Sequence, residues 1–147
     1  MQKGNNHKAL GYAIARTNWH MKNLLSKLMQ EEETGITYEQ WIVLKVIHEN
    51  PAMSQTEVAV MSQKDKANIT RMIDVLETNG FIERRKDAQD RRMYRMHSTQ
   101  EGRKALEKIG PITQKTDEIC TRNLGDAQVA QMIELLDKVC DNVKKEM

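Results

Sequence analysis

Small, polar and basic side chains between Lys66 and Asp74 have the spacing of one helix face. If Ile69 points toward a core, Ala67, Arg71 and Asp74 point away from it at about 100° per residue. In the major groove of DNA, Arg pairs with guanine, Asn pairs with adenine, and a small residue can approach a thymine methyl. The stretch therefore predicts a helix that reads base edges, and the alternative is an ordinary solvated helix face.

A second basic cluster follows between Phe81 and Arg95, where six basic residues stand against three acidic ones. A short turn has few structural reasons to concentrate arginines such as Arg91 and Arg92. An arginine at a hairpin tip can enter a narrow minor groove, where the negative potential is enhanced. Asp90 is expected to pair with Arg92 and to hold its side chain in position. Surface solubility is the alternative role of these arginines.

The order of a short helix, a turn, a second helix and a basic hairpin is typical of a winged helix-turn-helix. The helix N-terminal amides near Asp65 and Lys66 can also meet a phosphate group. The predicted DNA-binding residues are Ser54, Gln55, Lys64, Lys66, Ala67, Asn68, Thr70, Arg71, Arg84, Asp90, Arg91 and Arg92.

Further sequence patterns predict helices both within this winged helix-turn-helix unit and on either side of it. Apolar residues at steps of three and four predict a helix from about Lys8 to Glu32, and the capping boxes Thr37–Gln40 and Ser54–Glu57 open two more. The helix that follows Asp65 is expected to end at Asn79–Gly80. Its predicted buried face comprises Ile69, Met72, Ile73 and Leu76.

The wing and the C-terminal helices carry weaker signals. The strands of the hairpin are predicted at Phe81–Arg85 and Met93–His97. A third capping box, Ser98–Glu101, is expected to open a long helix, which Pro111 should kink or split.

The predicted fold class is mainly α with a small β-hairpin wing, that is, a winged helix-turn-helix flanked by long dimerisation helices. A length of 147 residues suits a single domain, 1–147, with a winged-helix DNA-binding unit at 36–99 and dimerisation helices at 8–33 and 100–146. The amphipathic helices outside the DNA-binding unit exceed what its own core needs. A homodimer is therefore expected, and a compact monomer is the alternative.

Composition and motif content narrow the classes of function. A net charge of only +2 suits a protein that meets phosphate with one surface. No apolar run is long enough to span a membrane and the N-terminus lacks an apolar signal core, so a cytoplasmic location without a membrane partner is expected. No P-loop, GxSxG or HExxH motif occurs and the histidines are scattered, so no enzyme, cofactor or metal site is predicted. Cys120 and Cys140 lie in apolar stripes and are expected to be reduced, buried thiols.

A series of short motifs runs in order from Ile36 to Ala105. They are Thr37…Gln40-Trp41…Leu44, Ser54-Gln55…Glu57…Ala59, Asn68-Ile69-Thr70-Arg71, Asp74…Leu76-Glu77…Gly80-Phe81-Ile82…Arg84, Asp90-Arg91-Arg92 and Thr99…Gly102. In this order and spacing the chain closely resembles the MarR family of bacterial and archaeal transcription regulators. Ser98 and Val58 depart from the family pattern, since Leu is usual at both positions.

The resemblance implies a winged-helix dimer in which the first helix and the last two helices of each subunit interlock. It also implies that the helix from Asp65 is the recognition helix and that Arg92 enters the minor groove. Regulators of this kind often respond to small aromatic ligands, oxidants or metals, and the cleft between the dimer helices and the DNA-binding unit is the expected effector site. The candidate effector-binding residues are Tyr12, Trp19, His20, Tyr38 and Trp41, with core packing as the alternative role. A thiol switch through Cys120 or Cys140 is a further alternative.

The sequence thus favours a sequence-specific, double-stranded DNA-binding transcriptional regulator. The expected protein is a ligand-responsive repressor that binds a palindromic operator as a homodimer. The alternative is a winged-helix protein-interaction or assembly module without specific DNA binding, and the roles of Arg71 and Arg92 distinguish the two.

Overall fold

A computed structural model describes residues 6–147, with side-chain surroundings from residue 9 onward. Residues 1–5, on which the expectation of no signal core partly rests, lie outside the described residues. The elements in chain order are α1 (Asn6–Glu31), α2 (Tyr38–Glu49), α3 (Gln55–Met61), α4 (Lys66–Thr78), β1 (Ile82–Lys86), β2 (Tyr94–Ser98), α5 (Gln100–Cys120) and α6 (Asp126–Glu146). The predicted class, mainly α with a β-hairpin wing, is confirmed.

The chain divides into two compact units, Met1–Thr113 and Gln114–Met147. The first unit contains the helix-turn-helix, the hairpin and the first part of α5. The second contains the end of α5 and all of α6.

Local hydrogen bonds at two helix starts follow the predicted capping boxes. The Gln40 amide donates to Thr37 Oγ1 at 3.2 Å, and the Thr37 amide donates to Gln40 Oε1 at 3.1 Å. The Glu57 amide donates to Ser54 Oγ at 3.2 Å, and the Ser54 amide donates to Glu57 Oε2 at 2.8 Å. Each box satisfies amides that a helix start leaves without intrahelical partners, so both helices begin where their sequences direct.

The third predicted capping box is wrong by one residue. Thr99, rather than Ser98, caps α5, because its Oγ1 accepts from the Gly102 amide at 3.1 Å. Ser98 Oγ instead lies 3.0 Å from His48 Nδ1 on α2. Thr99 is held in place by distant groups: its amide donates to the Phe81 carbonyl at 3.0 Å.

Pro111 does not split α5, which runs unbroken from Gln100 to Cys120. Of the two predicted outcomes, the split is therefore wrong, and the kink stays a prediction. A proline inside a helix removes one hydrogen bond to the carbonyl four residues earlier. Pro111 and Glu107 are both exposed, so water can satisfy the carbonyl that loses its partner.

The hairpin lies one residue later than predicted. β1 and β2 are antiparallel, and Ile82 is paired with Ser98 and Lys86 with Tyr94. Phe81 is excluded from β1 because its amide closes the end of α4 by donating to the Leu76 carbonyl at 2.9 Å. This Schellman-type ending uses Gly80 with a φ of 79°, a conformation that favours glycine.

The core of the DNA-binding unit lies between α2, α4 and the hairpin. The fully buried side chains include Val43, Leu44, Ile47, Val58, Ile69, Ile73, Leu76, Ile82, Met96 and Ile109. Met72, predicted on the buried face of α4, is only partly buried. The other three residues predicted on that face are completely inaccessible to solvent, so the orientation of α4 follows the prediction.

Gly102 allows the first turn of α5 to press against the junction between α4 and β1. A methyl group at this position would lie 2.1 Å from the Phe81 carbonyl oxygen and 3.2 Å from Leu44 Cδ1. The same carbonyl accepts the Thr99 amide. Since a backbone atom cannot move aside as a flexible side chain can, this position requires glycine.

We expect Gly102→Ala to destabilise the protein by about 1–3 kcal/mol, because overpacking forces the backbone apart. Urea unfolding at one fixed protein concentration measures the effect. Gly110→Ala is the matched control, since a methyl there meets nothing within 4 Å. Because alanine is favoured over glycine inside a helix, this variant should raise the free energy of unfolding by about 0.5–1 kcal/mol. Equal stability of the two variants would contradict the close approach.

Candidate nucleic-acid interface

A chain of hydrogen bonds orders the exposed face of α4. Asp65 caps the helix by accepting from the Asn68 amide at 2.8 Å, and its second oxygen accepts from Asn68 Nδ2 at 2.6 Å. Asn68 Oδ1 in turn accepts from Arg71 Nη2 at 2.8 Å. The Arg71 side chain is thereby oriented on the outer face, beside the exposed Ala67.

The helix start is therefore not an unmodified row of free amides. The hydrogen bond from the Asn68 amide lowers the pKa of the Asp65 carboxyl, with smaller contributions from the Asn68 side chain, the Ala67 amide and Arg71. Asp65 keeps its negative charge at the start of α4. Its carboxylate already accepts a hydrogen bond from one of the amides that were predicted to meet a phosphate. Lys66 is exposed immediately after it and supplies the nearest positive charge.

Gln55 and Thr70 connect the two helices of the helix-turn-helix. Gln55 Nε2 donates to Thr70 Oγ1 at 2.7 Å, and Thr70 Oγ1 donates to the Lys66 carbonyl at 2.9 Å. Ser54 Oγ is engaged as the cap of α3. Of these three predicted DNA-binding residues, Gln55 and Thr70 thus link α3 to α4, and Ser54 opens α3.

Lys64 and Arg84 are engaged with acidic side chains of the same chain. Lys64 forms an ion pair with Glu39, and its side chain is only 17% exposed. Arg84 donates to Glu77 Oε1 at 2.7 Å and to Asp74 Oδ1 at 2.5 Å, and joins α4 to β1. Burial lowers the pKa of Arg84, but the hydrogen bonds to Asp74 and Glu77 outweigh it and raise the pKa.

Asp87 organises the turn of the wing, a role that the sequence reading missed. Its Oδ1 accepts from the amides of Gln89 at 2.8 Å and Asp90 at 2.9 Å, and its Oδ2 accepts from Arg95 Nε at 2.7 Å. The Asp90 amide and then the Arg95 and Gln89 hydrogen bonds lower the pKa of Asp87 to about 2. The available signal was an Asp at the start of a polar turn, where its side chain can accept the amide two residues on.

The predicted pairing of Asp90 with Arg92 is present at the wing tip. Asp90 Oδ1 accepts from the Arg92 amide at 3.0 Å and from Arg92 Nε at 3.3 Å. The Arg92 side chain is nevertheless 92% exposed, and Arg91 is exposed beside it. The tip therefore projects two guanidinium groups into solvent, and the Asp90 carboxylate restrains that of Arg92.

A cleft of about 230 Å³ separates the start of α3 from the wing. Ser54 and Gln55 line one side, and Arg84 and Arg92 line the other. Thr56 and Tyr94 also line it and were not among the predicted residues. Tyr94 is exposed in the structure, and the sequence feature that could have identified it is an aromatic residue within the basic wing.

The five candidate effector-binding residues do not form one pocket in the single chain. Tyr12 and Trp19 are 68% and 61% exposed on α1, and His20 is exposed beside Trp19, so these three do not pack in the core of the single chain. Tyr38 and Trp41 are partly buried, with ring centroids 5.7 Å apart. Tyr38 lines a cavity of about 580 Å³ between α1 and the start of α2, whereas Trp41 lines a separate one of about 220 Å³.

The two cysteines differ in their surroundings. Cys120 is partly buried, and burial together with Asp117 raises the pKa of its thiol. A raised thiol pKa reduces the reactive thiolate fraction. Cys140 is exposed on α6 in the single chain, so one copy alone does not bury it as expected.

Residues 6–147 contain neither a metal-ligand cluster nor a membrane-spanning helix. No three His, Cys, Asp or Glu side chains there are grouped closely enough to hold a metal ion. None of the helices in that range combines the length and the apolar content needed to cross a membrane.

Comparison with known proteins gives one consistent family. The sequence profile of the MarR family matches residues 36–103. A transcriptional regulatory protein for the hcr operon of Thauera aromatica is 33% identical over 105 residues, which are 71% of this chain and 63% of that protein. The transcriptional regulator BilQ of Clostridium symbiosum is 29% identical over 74% of this chain and 75% of its own.

Solved structures agree with the sequence comparisons. A mutant MarR from E. coli complexed with operator DNA matches with a TM-score of 0.83 and 27% identity, covering 95% of this chain and 99% of that one. The relatives are named as transcriptional regulators rather than enzymes, as the sequence predicted. The profile match spans the capping boxes, α4 and the wing described above. The chain belongs to the MarR family of transcriptional regulators.

Proposed function

We propose that this protein is a sequence-specific, double-stranded DNA-binding regulator that represses transcription by occupying a palindromic operator as a homodimer. One observation carries the proposal: the oriented Arg71 of α4 and the exposed, Asp90-held Arg92 belong to the same compact unit. The similar MarR structure contains operator DNA, which supports a DNA partner for this chain.

The exposed face of α4 suits the major groove. Arg71 has five N–H donors and uses one nitrogen on Asn68, so the remaining donors can reach the acceptors of a guanine. Ala67 permits close approach to a base edge, and Lys66 can meet a phosphate. In this arrangement Asn68 orients Arg71 as well as facing the groove itself.

The wing tip suits the minor groove and the adjacent phosphates. We assign Arg92 to the groove and Arg91 to the backbone, because Asp90 restrains only Arg92. Ser54 and Gln55 face the wing across the cleft and are placed to meet the backbone at the start of α3. Arg84 acts as the link that holds β1 to α4, since both Asp74 and Glu77 bind its guanidinium.

The homodimer is proposed from the apolar surface of α6. This helix has no buried residue in the single chain, although it is amphipathic. Its large exposed apolar residues are Met132, Ile133, Leu135, Leu136 and Val143. Large apolar side chains of α1, including Leu10, Ile14 and Trp19, are exposed as well. A second copy is the simplest cover, and two-fold pairing would place the two α4 helices about 34 Å apart on DNA.

Regulation by a small-molecule effector is part of the same proposal. The cavity of about 580 Å³ beside Tyr38 has the size of a ligand site and lies between α1 and the DNA-binding unit. A ligand there changes DNA binding only if it binds one arrangement of these helices better than another.

A winged-helix assembly module without specific DNA binding is the second candidate. It predicts that substitution of Arg71, Arg91 or Arg92 does not change DNA binding.

We expect Arg92→Ala to weaken binding to a selected operator by about tenfold to a hundredfold, since a groove-inserted arginine contributes about 1–3 kcal/mol. Fluorescence anisotropy with labelled duplex measures the effect. Arg103→Ala is the matched control, because Arg103 is an exposed arginine on α5 and is not among the predicted DNA-binding residues. Equal affinity of both variants would favour the assembly module.

Arg71→Ala and Arg91→Ala should differ in kind. Loss of a base contact at Arg71 relaxes sequence preference, which selection from a random duplex library detects. Loss of a phosphate contact at Arg91 weakens all duplexes alike and reduces the salt slope by about one. If Arg71→Ala keeps the sequence preference of the wild type, Arg71 of α4 does not read bases.

The protein should sediment as a dimer at micromolar concentration in analytical ultracentrifugation. Ile133→Glu should weaken dimerisation by at least about tenfold, because it buries an unpaired charge in an apolar interface. Glu134→Gln, on the same turn of α6 but polar, should leave the dimer intact. A wild-type monomer would contradict the proposal.

A further inference from the structure

Glu39, near the start of α2, is shared by two lysines from different parts of the chain. One carboxylate oxygen accepts from Lys22 of α1, and the other accepts from Lys64 of the turn between α3 and α4. The Glu39 side chain is 31% exposed, so water screens the pairs only in part. A single carboxylate thus joins the first helix to the helix-turn-helix.

The position of Lys64 determines where α4 begins. It directly precedes Asp65, the cap of α4, and its amide donates to the Ala59 carbonyl at 3.0 Å. The preceding Gln63 has a φ of 57°, a left-handed conformation that is unusual for a side-chain-bearing residue. With Gln63 and Asp65 both exposed, the anchored Lys64 side chain fixes this turn against α2.

The charge balance at Glu39 favours the ionised pair. Burial raises the pKa of the carboxyl, but the hydrogen bonds from Lys22 and Lys64 outweigh it and the pKa lies below its ordinary value. Glu39 is therefore charged at neutral pH. Lys64 is correspondingly committed to a protein carboxylate and is mostly withdrawn from solvent.

We propose that Glu39 is a positioning residue for DNA recognition, and that Lys64 acts on DNA binding through Glu39 rather than by contacting a phosphate. The link holds the start of α4 at a fixed position relative to α1. This inference rests on the proposed function, since α4 is taken to read the operator.

The two roles of Lys64 predict opposite effects of removing Glu39. If Lys64 contacts phosphate, Glu39 competes with DNA for it, so its loss strengthens binding. If Lys64 positions α4 through Glu39, loss of either partner weakens binding. The sign of the effect at residue 39 therefore separates the two roles.

The test compares Glu39→Ala, Lys64→Met and the double variant in the full-length protein. Each single variant should bind the selected operator about threefold to tenfold more weakly, and the double variant no more weakly than the worse single one, because the two residues form one link. The salt slope should match that of the wild type. Glu39→Gln, which keeps one acceptor, should fall between Glu39→Ala and the wild type.

Matched controls come from the neighbouring surface pair on the same helix. Lys45 Nζ lies 3.9 Å from Glu49 Oε1, so Glu49→Ala and Lys45→Met remove the same charges without touching the turn before α4. Neither should alter operator affinity as the Glu39 and Lys64 variants do. Tighter binding by Glu39→Ala, or a salt slope reduced by about one in Lys64→Met, would overturn the inference and assign Lys64 to phosphate.

Hydrogen exchange without DNA tests the link separately from the proposed function. Glu39→Ala and Lys64→Met should exchange the amides of residues 64–70 about threefold to tenfold faster than the wild type, and the controls should not. Unchanged exchange in both variants would overturn the positioning role even if the wild type binds DNA. If both variants exchange faster but the wild-type protein binds no duplex, the link is retained and the proposed function is rejected.

Discussion

Burial of one face of α4 determines what the rest of the DNA-binding unit can do. Ile69, Ile73 and Leu76 are completely withdrawn from solvent and pack in the core with α2 and the hairpin. Because side chains three or four residues apart share a face of a helix, this burial forces Ala67 and Arg71 to point outward. Rotating α4 to hide them would expose three large apolar side chains, which costs several kcal/mol in lost burial.

The wing follows α4 because it is attached at two places. At its base, the Phe81 carbonyl accepts the Thr99 amide while Gly102 admits the first turn of α5. Beside α3, the Met96 amide donates to the Met53 carbonyl at 2.8 Å. These backbone contacts bind the hairpin both to the end of α4 and to the segment before α3. The guanidinium groups at the tip are therefore carried by the same body that carries the reading helix.

The location of exposed positive charge depends on which cations pair with carboxylates, and not on the net charge of the chain. The chain has a net charge of only +2, and several of its cations face carboxylates of the same molecule. Arg84, Arg95 and Lys64 are each held by acidic partners and are partly or mostly buried. Arg91 and Arg92 project into solvent at the tip. Pairing thus neutralises these three cations within the scaffold, whereas the wing tip keeps exposed guanidinium groups on a surface proposed to meet DNA.

The sequence by itself determined what depends on near neighbours along the chain: the helix order, the capping boxes at Thr37 and Ser54, the faces of α4, and the pairing within Asp90–Arg92. These features follow from interactions over two to four residues, which the printed order already contains. Tertiary structure decided the rest. Lys64 meets a carboxylate 25 residues away, and the cap of α5 moves to Thr99 because distant carbonyls hold that residue. Such partners are fixed only when the core brings remote segments together, so residue type and spacing could not predict them.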